Sequence, residues 1–176
     1  MPATLQRLAF VQADPLRAPA PAQDLTLRHR VKGYRAGDLA RRYPRLAVEE
    51  DFFVNYGFVS PALHALMHPR EARQAWSADR WQQAAAVLDF VRERGVVHPR
   101  EVDAHFQHGR TRNWFGGSSR ASTELLDGMH YRGLLRVARR EGGTRLYAPR
   151  PETPAPADPQ AAMDALVDAE IGRAHV

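Results

Sequence analysis

Leu134-Leu135-Arg136-Val137-Ala138-Arg139-Arg140-Glu141-Gly142-Gly143-Thr144-Arg145-Leu146-Tyr147-Ala148 reads as two strands around a glycine turn. Leu134 to Arg140 and Thr144 to Ala148 alternate apolar and basic residues, and Glu141-Gly142-Gly143 supplies the turn chemistry of a β-hairpin. Upstream, Trp81, Ala84, Ala85, Leu88 and Val91 recur at helical spacing, Arg92 and Arg94 suit the C-terminal dipole, and Gly95 supplies the stop. Val96-Val97 gives a short extended piece, and Pro99 opens a second helix with Val102 and Phe106 inward. A loop is expected from Gln107 to Gly117. Ser118 or Ser119 then caps a third helix, with Ser122, Leu125, Leu126 and Met129 on its buried stripe and Gly133 at its end. Three helices followed by a hairpin is the winged-helix order, so residues 77–150 are expected to form one such domain.

When a winged helix meets DNA, its third helix enters the major groove and its wing lies along the backbone or minor groove. The exposed face of this third helix is expected to carry Arg120, Thr123, Glu124, Asp127 and His130, a set whose acids repel phosphates. The cations cluster elsewhere: Arg110 and Arg112 stand beside Trp114 in the loop, and Arg136, Arg139, Arg140 and Arg145 on the wing. Loop and wing are therefore expected to carry the phosphate contacts to double-stranded DNA. Four arginines neutralising phosphates give a log–log salt slope of roughly −3.6. The other reading is a winged helix packed against a neighbouring domain with its arginines solvated.

Composition agrees with a polyanionic partner. The 176 residues are 44% hydrophobic and 26% charged, as in a globular protein, and carry a net charge of +5. Lys32 is the sole lysine, a bias that GC-rich coding produces without selection for phosphate binding, so the position of each arginine counts for more than their number. No apolar run reaches the ~20 residues of a membrane span, and no charged-then-apolar leader opens the chain. A cytoplasmic, nucleoid-associated monomer is expected. Without cysteine there is no disulfide, thiolate metal site or thiol nucleophile.

Residues 1–76 read less regularly. Thr4 to Ala9 looks like the end of a helix leading into a strand, Phe10-Val11-Gln12-Ala13-Asp14, before Pro15, Pro19 and Pro21 force an extended crossing. On a strand, Gln12 and Asp14 point the same way. A carboxylate polarises water or balances an oxocarbenium-like charge, as glycosidic hydrolysis requires, and an adjacent amide can orient that water. The same residues also suit a strand ending in an Asx-Pro turn. Asp24 is expected to cap a short helix carrying Leu25 and Leu27. The basic band Arg28, Arg30, Lys32, Arg35, Arg41, Arg42 and Arg45 either grips phosphates or is a solvated face, and Glu49, Glu50 and Asp51 follow it. The aromatics of residues 52–67 are expected in the core. His64 and His68 stand at metal-ligand spacing, but no Glu or Cys completes a zinc motif, so no metal is expected.

Pro149, Pro151, Pro154, Pro156 and Pro159 make residues 151–159 a semi-rigid linker. Residues 160–169, with Met163, Leu166 and Val167 on one side, are expected to begin a further, truncated domain. Glu170 to Val176 (EIGRAHV) can be encoded in frame by a common sequencing-adapter read-through, so residues 170–176 are expected to be a non-biological tail.

The ordered segments LAFVQAD, DFFVNYGFVSP, VRERGVVHPREVDAHF, RNWFGG and GLLRVARREGGTRLY together resemble bacterial DNA glycosylases of the AlkZ and YcaQ type, across roughly Leu5 to Arg150. The resemblance implies tandem winged helices, and hence a mainly α fold with small β-hairpins (α+β). It also implies crosslink repair by hydrolysis of the N-glycosidic bond of alkylated purines, with no metal or organic cofactor. Gln12 and Asp14 match the family's Gln-apolar-Asp motif: Asp14 would stabilise the anomeric cation or take a proton from water, and Gln12 would hold the water. Asn55 and Gln23 stand where the family often has histidines. Further helices before Thr4 and a third winged helix beyond the linker are implied, making this chain a fragment. A winged-helix DNA binder without catalysis, a regulator or inactive relative, is the alternative.

Overall fold

The computed structural model describes residues 1–176 except 15, 17, 18, 71, 73, 107–109, 113–117, 153 and 174–176; of 110–112, 118–120 and 173 it describes the backbone alone. Pro15 and Trp114 thus lie outside the described residues, as do the side chains of Arg110, Arg112 and Arg120.

The fold is α+β. The chain runs α1 (Pro2–Leu8), β1 (Phe10–Gln12), α2 (Ala22–Arg28), α3 (Asp38–Arg42), a single 3-10 turn (Tyr43–Arg45), β2 (Glu49–Phe52), β3 (Tyr56–Val59) and α4 (Pro61–Met67). It continues through α5 (Ala78–Arg94), α6 (Pro99–Phe106), β4 (Arg110–Arg112), β5 (Ser118–Arg120), α7 (Ala121–Tyr131), β6 (Leu135–Glu141), β7 (Thr144–Pro149) and α8 (Pro159–Arg173). Two units result, Met1–Pro69 with Thr153–Val176, and Arg70–Glu152. Two differences from the expected boundaries follow. The first break falls after Pro69 rather than residue 76, and α8 groups with the first unit instead of opening a further domain. Leu166 and Ala169 of α8 pack on the cluster of Phe10, Val59, Leu63 and Met67, which explains that grouping. Helix α8 continues unbroken through Glu170 to Arg173.

The first unit is built on a three-stranded antiparallel sheet of order β1-β3-β2. Ser60 caps α4 by accepting the Leu63 N–H, and Pro61 stands at N1, where its missing donor costs nothing. Pairing of β1 with β3 brings Gln12 opposite Gly57. A Cβ at Gly57 would lie 2.4 Å from the Phe10 ring and 2.5 Å from the Val11 carbonyl oxygen, so this close approach requires glycine.

Asp24 does not cap α2. The cap position is Pro21, and Asp24, one turn in and buried, accepts the Tyr34 hydroxyl at 2.6 Å and the Gly37 N–H at 3.0 and 3.1 Å. Its carboxylate thereby closes the loop between α2 and α3, where Gly37 adopts φ 79°.

In the second unit, Ser77 caps α5 and Gly95 ends it at φ 76°. The buried stripe is Ala84, Val87, Phe90 and Val91, rotated from the expected one. Trp81 is 46% exposed and meets Trp76 edge-on at 5.0 Å rather than entering the core. Glu101 reaches back to the His98 N–H at 2.7 Å, the capping-box return at the start of α6. Ser118–Arg120 pairs antiparallel with Arg110–Arg112, so part of the expected loop is strand, and neither Ser118 nor Ser119 stands next to the first residue of α7, Ala121. The expected stripe of Ser122, Leu125, Leu126 and Met129 is buried on α7, and Gly133 ends the turn at φ 77°. The β6–β7 hairpin closes through Gly142 (φ 54°) and Gly143 (φ 86°), and Val97 bridges Tyr147 on its inner strand.

Candidate active site

The sequence Ala9-Phe10-Val11-Gln12 forms a strand because α1 ends abruptly at Ala9, whose φ of 56° turns the chain, and because Phe10 and Val11 are both buried against β3 and its surroundings. The ladder ends one residue past Gln12, with the Ala13 N–H on the Tyr56 carbonyl at 2.9 Å. The strand therefore stops short of Asp14, where it was expected to end. The Asp14 N–H leaves the sheet for Gln23 Oε1 at 3.2 Å, and its carboxylate Oδ1 accepts the Leu16 N–H at 2.8 Å, an Asx turn.

Gln12 lines a cavity of about 340 Å³ together with Leu8, Phe10, Val11, Ala22, Thr26, Arg30 and Glu170. That volume falls at the lower end of the ~300–1,000 Å³ of small-molecule sites. One wall is apolar, from α1 and β1. The polar groups are the Gln12 amide, the Thr26 hydroxyl, the Arg30 guanidinium and the Glu170 carboxylate, so the cavity can accept a flat apolar face and bind its polar edge. Gln12 thus stands at the cavity, while Asp14, two residues on, is not among its lining residues. Arg30 belonged to the basic band in sequence, and nothing in that run singled it out from its neighbours. Arg28, Lys32, Arg35, Arg41, Arg42 and Arg45 are likewise exposed. Asn55 is exposed in the β2–β3 turn, and Gln23 holds the Asp14 backbone.

A second polar cluster lies in the same unit. His64 of α4 and His68, which follows the helix's last residue, both point Nε2 at Oδ2 of Asp51 on β2, at 3.0 and 2.7 Å. The third member missing from the histidine pair is supplied by β2, and the acidic trio Glu49, Glu50 and Asp51, which lies in that strand, was the signal for it. Glu50, also buried, accepts the Tyr56 hydroxyl at 2.9 Å.

On the second unit's hairpin, Arg139 bonds Glu141 through Nε and Nη2 at 3.1 and 3.0 Å, and Arg140 donates to the Gly143 carbonyl at 2.8 Å. Arg145 pairs with Asp127 at 3.2 Å, and the Tyr147 hydroxyl donates to the same carboxylate at 2.6 Å. Asp127 therefore ties α7 to β7 instead of facing outward alone, and His130, expected on the exposed face, is buried. Arg136 is partly buried.

The family model described as DNA glycosylase AlkZ-like matches residues 5–173, and the chain belongs to that family. No curated protein and no solved structure matches it. Among the described residues, no helix is long and apolar enough to cross a membrane.

Proposed function

We propose that this chain hydrolyses the N-glycosidic bond of alkylated or crosslinked purines in duplex DNA. The observation that carries the reading is Gln12, the last residue of β1, lining a cavity of about 340 Å³ in a chain of the AlkZ-like DNA glycosylase family. An N-alkylated purine bears a positive charge and leaves well, so a single carboxylate suffices. Water adds at the anomeric carbon, the C–N bond breaks, and its electron pair departs with the neutralised base. Asp14 balances the cation or takes the water's proton, and Gln12 orients that water. Arg30, also at the cavity, suits the phosphate of an extruded nucleotide.

The second unit serves, in this reading, as a winged helix that holds the duplex through Arg110, Arg112, Arg120, Arg136, Arg139, Arg140 and Arg145. A second reading rests on the Asx turn: the bond from Leu16 N–H gives the Asp14 carboxylate a structural role, which suits a DNA-binding relative without catalysis. Release of 7-methylguanine from a duplex, compared between the parent chain and Asp14→Asn, separates the two. Release that collapses with unchanged duplex affinity supports hydrolysis; no release by the parent chain, with duplex binding intact, supports binding alone.

A further inference from the structure

We propose that Asp51, His64 and His68 form a binding site for one divalent transition-metal ion of the zinc class, bracing β2 against α4. His64 stands on α4, and His68 is the residue that ends that helix, in extended backbone, its ring 4.9 Å from that of His64. Asp51 comes from β2, thirteen and seventeen residues earlier, and meets both rings. Their ligand atoms all lie within 4.8 Å of one another. The site is nearly closed to water, with Asp51 1% exposed, His68 2% and His64 9%.

The donor chemistry selects the ion. Two imidazole nitrogens and one carboxylate oxygen suit zinc and its first-row neighbours, whereas calcium and magnesium favour oxygen alone. A four-coordinate ion holds such donors about 2.0–2.1 Å from itself, hence roughly 3.4 Å from each other. The observed 2.7 and 3.0 Å are a fraction of an ångström short of that spacing, a gap that small side-chain rotations close. In the hydrogen-bonded arrangement, two Nε2–H protons converge on one carboxylate oxygen; a divalent ion replaces those two protons by one centre and satisfies the same three atoms. Asp51 Oδ1 accepts the Phe52 N–H at 2.7 Å, which fixes the carboxylate as an outer-shell bond does in metal sites. Water or the second carboxylate oxygen completes the coordination. Because α4 also carries Leu63 and Met67 of the core beneath Phe10, the ion's role is structural.

The test uses the full chain, stripped with EDTA and titrated with Co²⁺ and then Zn²⁺. The expected result is a visible d–d band that saturates at one equivalent of Co²⁺, is displaced by Zn²⁺, and accompanies a rise in melting temperature of several degrees. The folded double variant His64→Asn with His68→Asn is expected to lose both. If that variant does not fold, imidazole nitrogen NMR of the parent chain decides, since two of its eight histidines should shift at one equivalent of Zn²⁺. No band and no thermal shift at tenfold excess of either ion overturns the proposal, as does a full band in the folded double variant or a set of histidine shifts other than these two.

Discussion

Gln23 accepts the backbone N–H of Asp14 at 3.2 Å, pulling the residue off the end of the sheet ladder just past the cavity-lining Gln12. Asn at position 14 keeps an oxygen for the Leu16 N–H, so Asp14→Asn removes the charge and spares the turn. Release of an alkylated purine is expected to fall about 10²–10⁴-fold, the usual scale for a lost proton-transfer or charge-stabilising group, with duplex affinity unchanged. Single-turnover base release alongside fluorescence anisotropy checks both halves. A variant that releases base at the parent rate removes Asp14 from the chemistry.

Gly57→Ala is expected to destabilise the first unit. The added methyl meets the Val11 carbonyl oxygen, which is backbone and cannot swing aside, as well as the Phe10 ring. Overpacking of this kind costs about 1–3 kcal/mol. Urea unfolding followed by circular dichroism measures the loss, and faster hydrogen exchange at the Ala13 amide, which bonds the Tyr56 carbonyl, locates it at β1.

Ion pairing should reduce what a hairpin arginine contributes to DNA binding. Arg145 pairs with Asp127 at 3.2 Å. Arg145→Ala is expected to shallow the log–log salt slope of duplex binding by about 0.9, the share of one phosphate contact, in an Asp127→Asn background, and by less in the parent chain, where that guanidinium must first leave Asp127. Equal slope changes in the two backgrounds would contradict this.

Alkali should attack the α2–α3 loop. Burial raises the Tyr34 phenol well above its ordinary 10.0, and the bond it donates to Asp24 adds to the rise. A group whose folded value is raised contributes stability that is fully present below the unfolded value and is lost as pH rises toward the folded one. Melting temperature is therefore expected to hold to about pH 10 and fall above it, and Tyr34→Phe should lessen that fall. Ultraviolet titration of the parent chain against Tyr34→Phe should show that the substitution removes a late-ionising phenol.

The second unit was largely legible because its signals are local. Pro99, Gly95, Gly133 and the Gly142-Gly143 turn each mark an element end by backbone chemistry alone, and the structure puts the ends there. What escaped was set by partners distant in sequence. Trp81 fits a helical apolar stripe, but Trp76 offered it a ring outside the core. Asp24 has the right chemistry for a cap, yet Tyr34 and Gly37 drew its carboxylate elsewhere. The pairing of Asp51 with His64 and His68 requires a hairpin to fold a strand onto the following helix, which spacing within the helix cannot reveal. Gln12 was visible as a strand residue, while its cavity needed Arg30 from the turn after α2 and Glu170 from α8.

The core of Phe10, Val59, Leu63 and Met67 receives Leu166 and Ala169 only after the whole intervening unit has been made. At ribosomal speeds of ~5–20 residues per second, the roughly hundred residues separating Leu63 from Leu166 keep that apolar face uncovered for about 5–20 s. The segment translated in the middle is contiguous and can finish folding during that interval. Nascent chains of this protein therefore pass through a stage with one completed unit and one open apolar face, the stage at which a chaperone has most to hold.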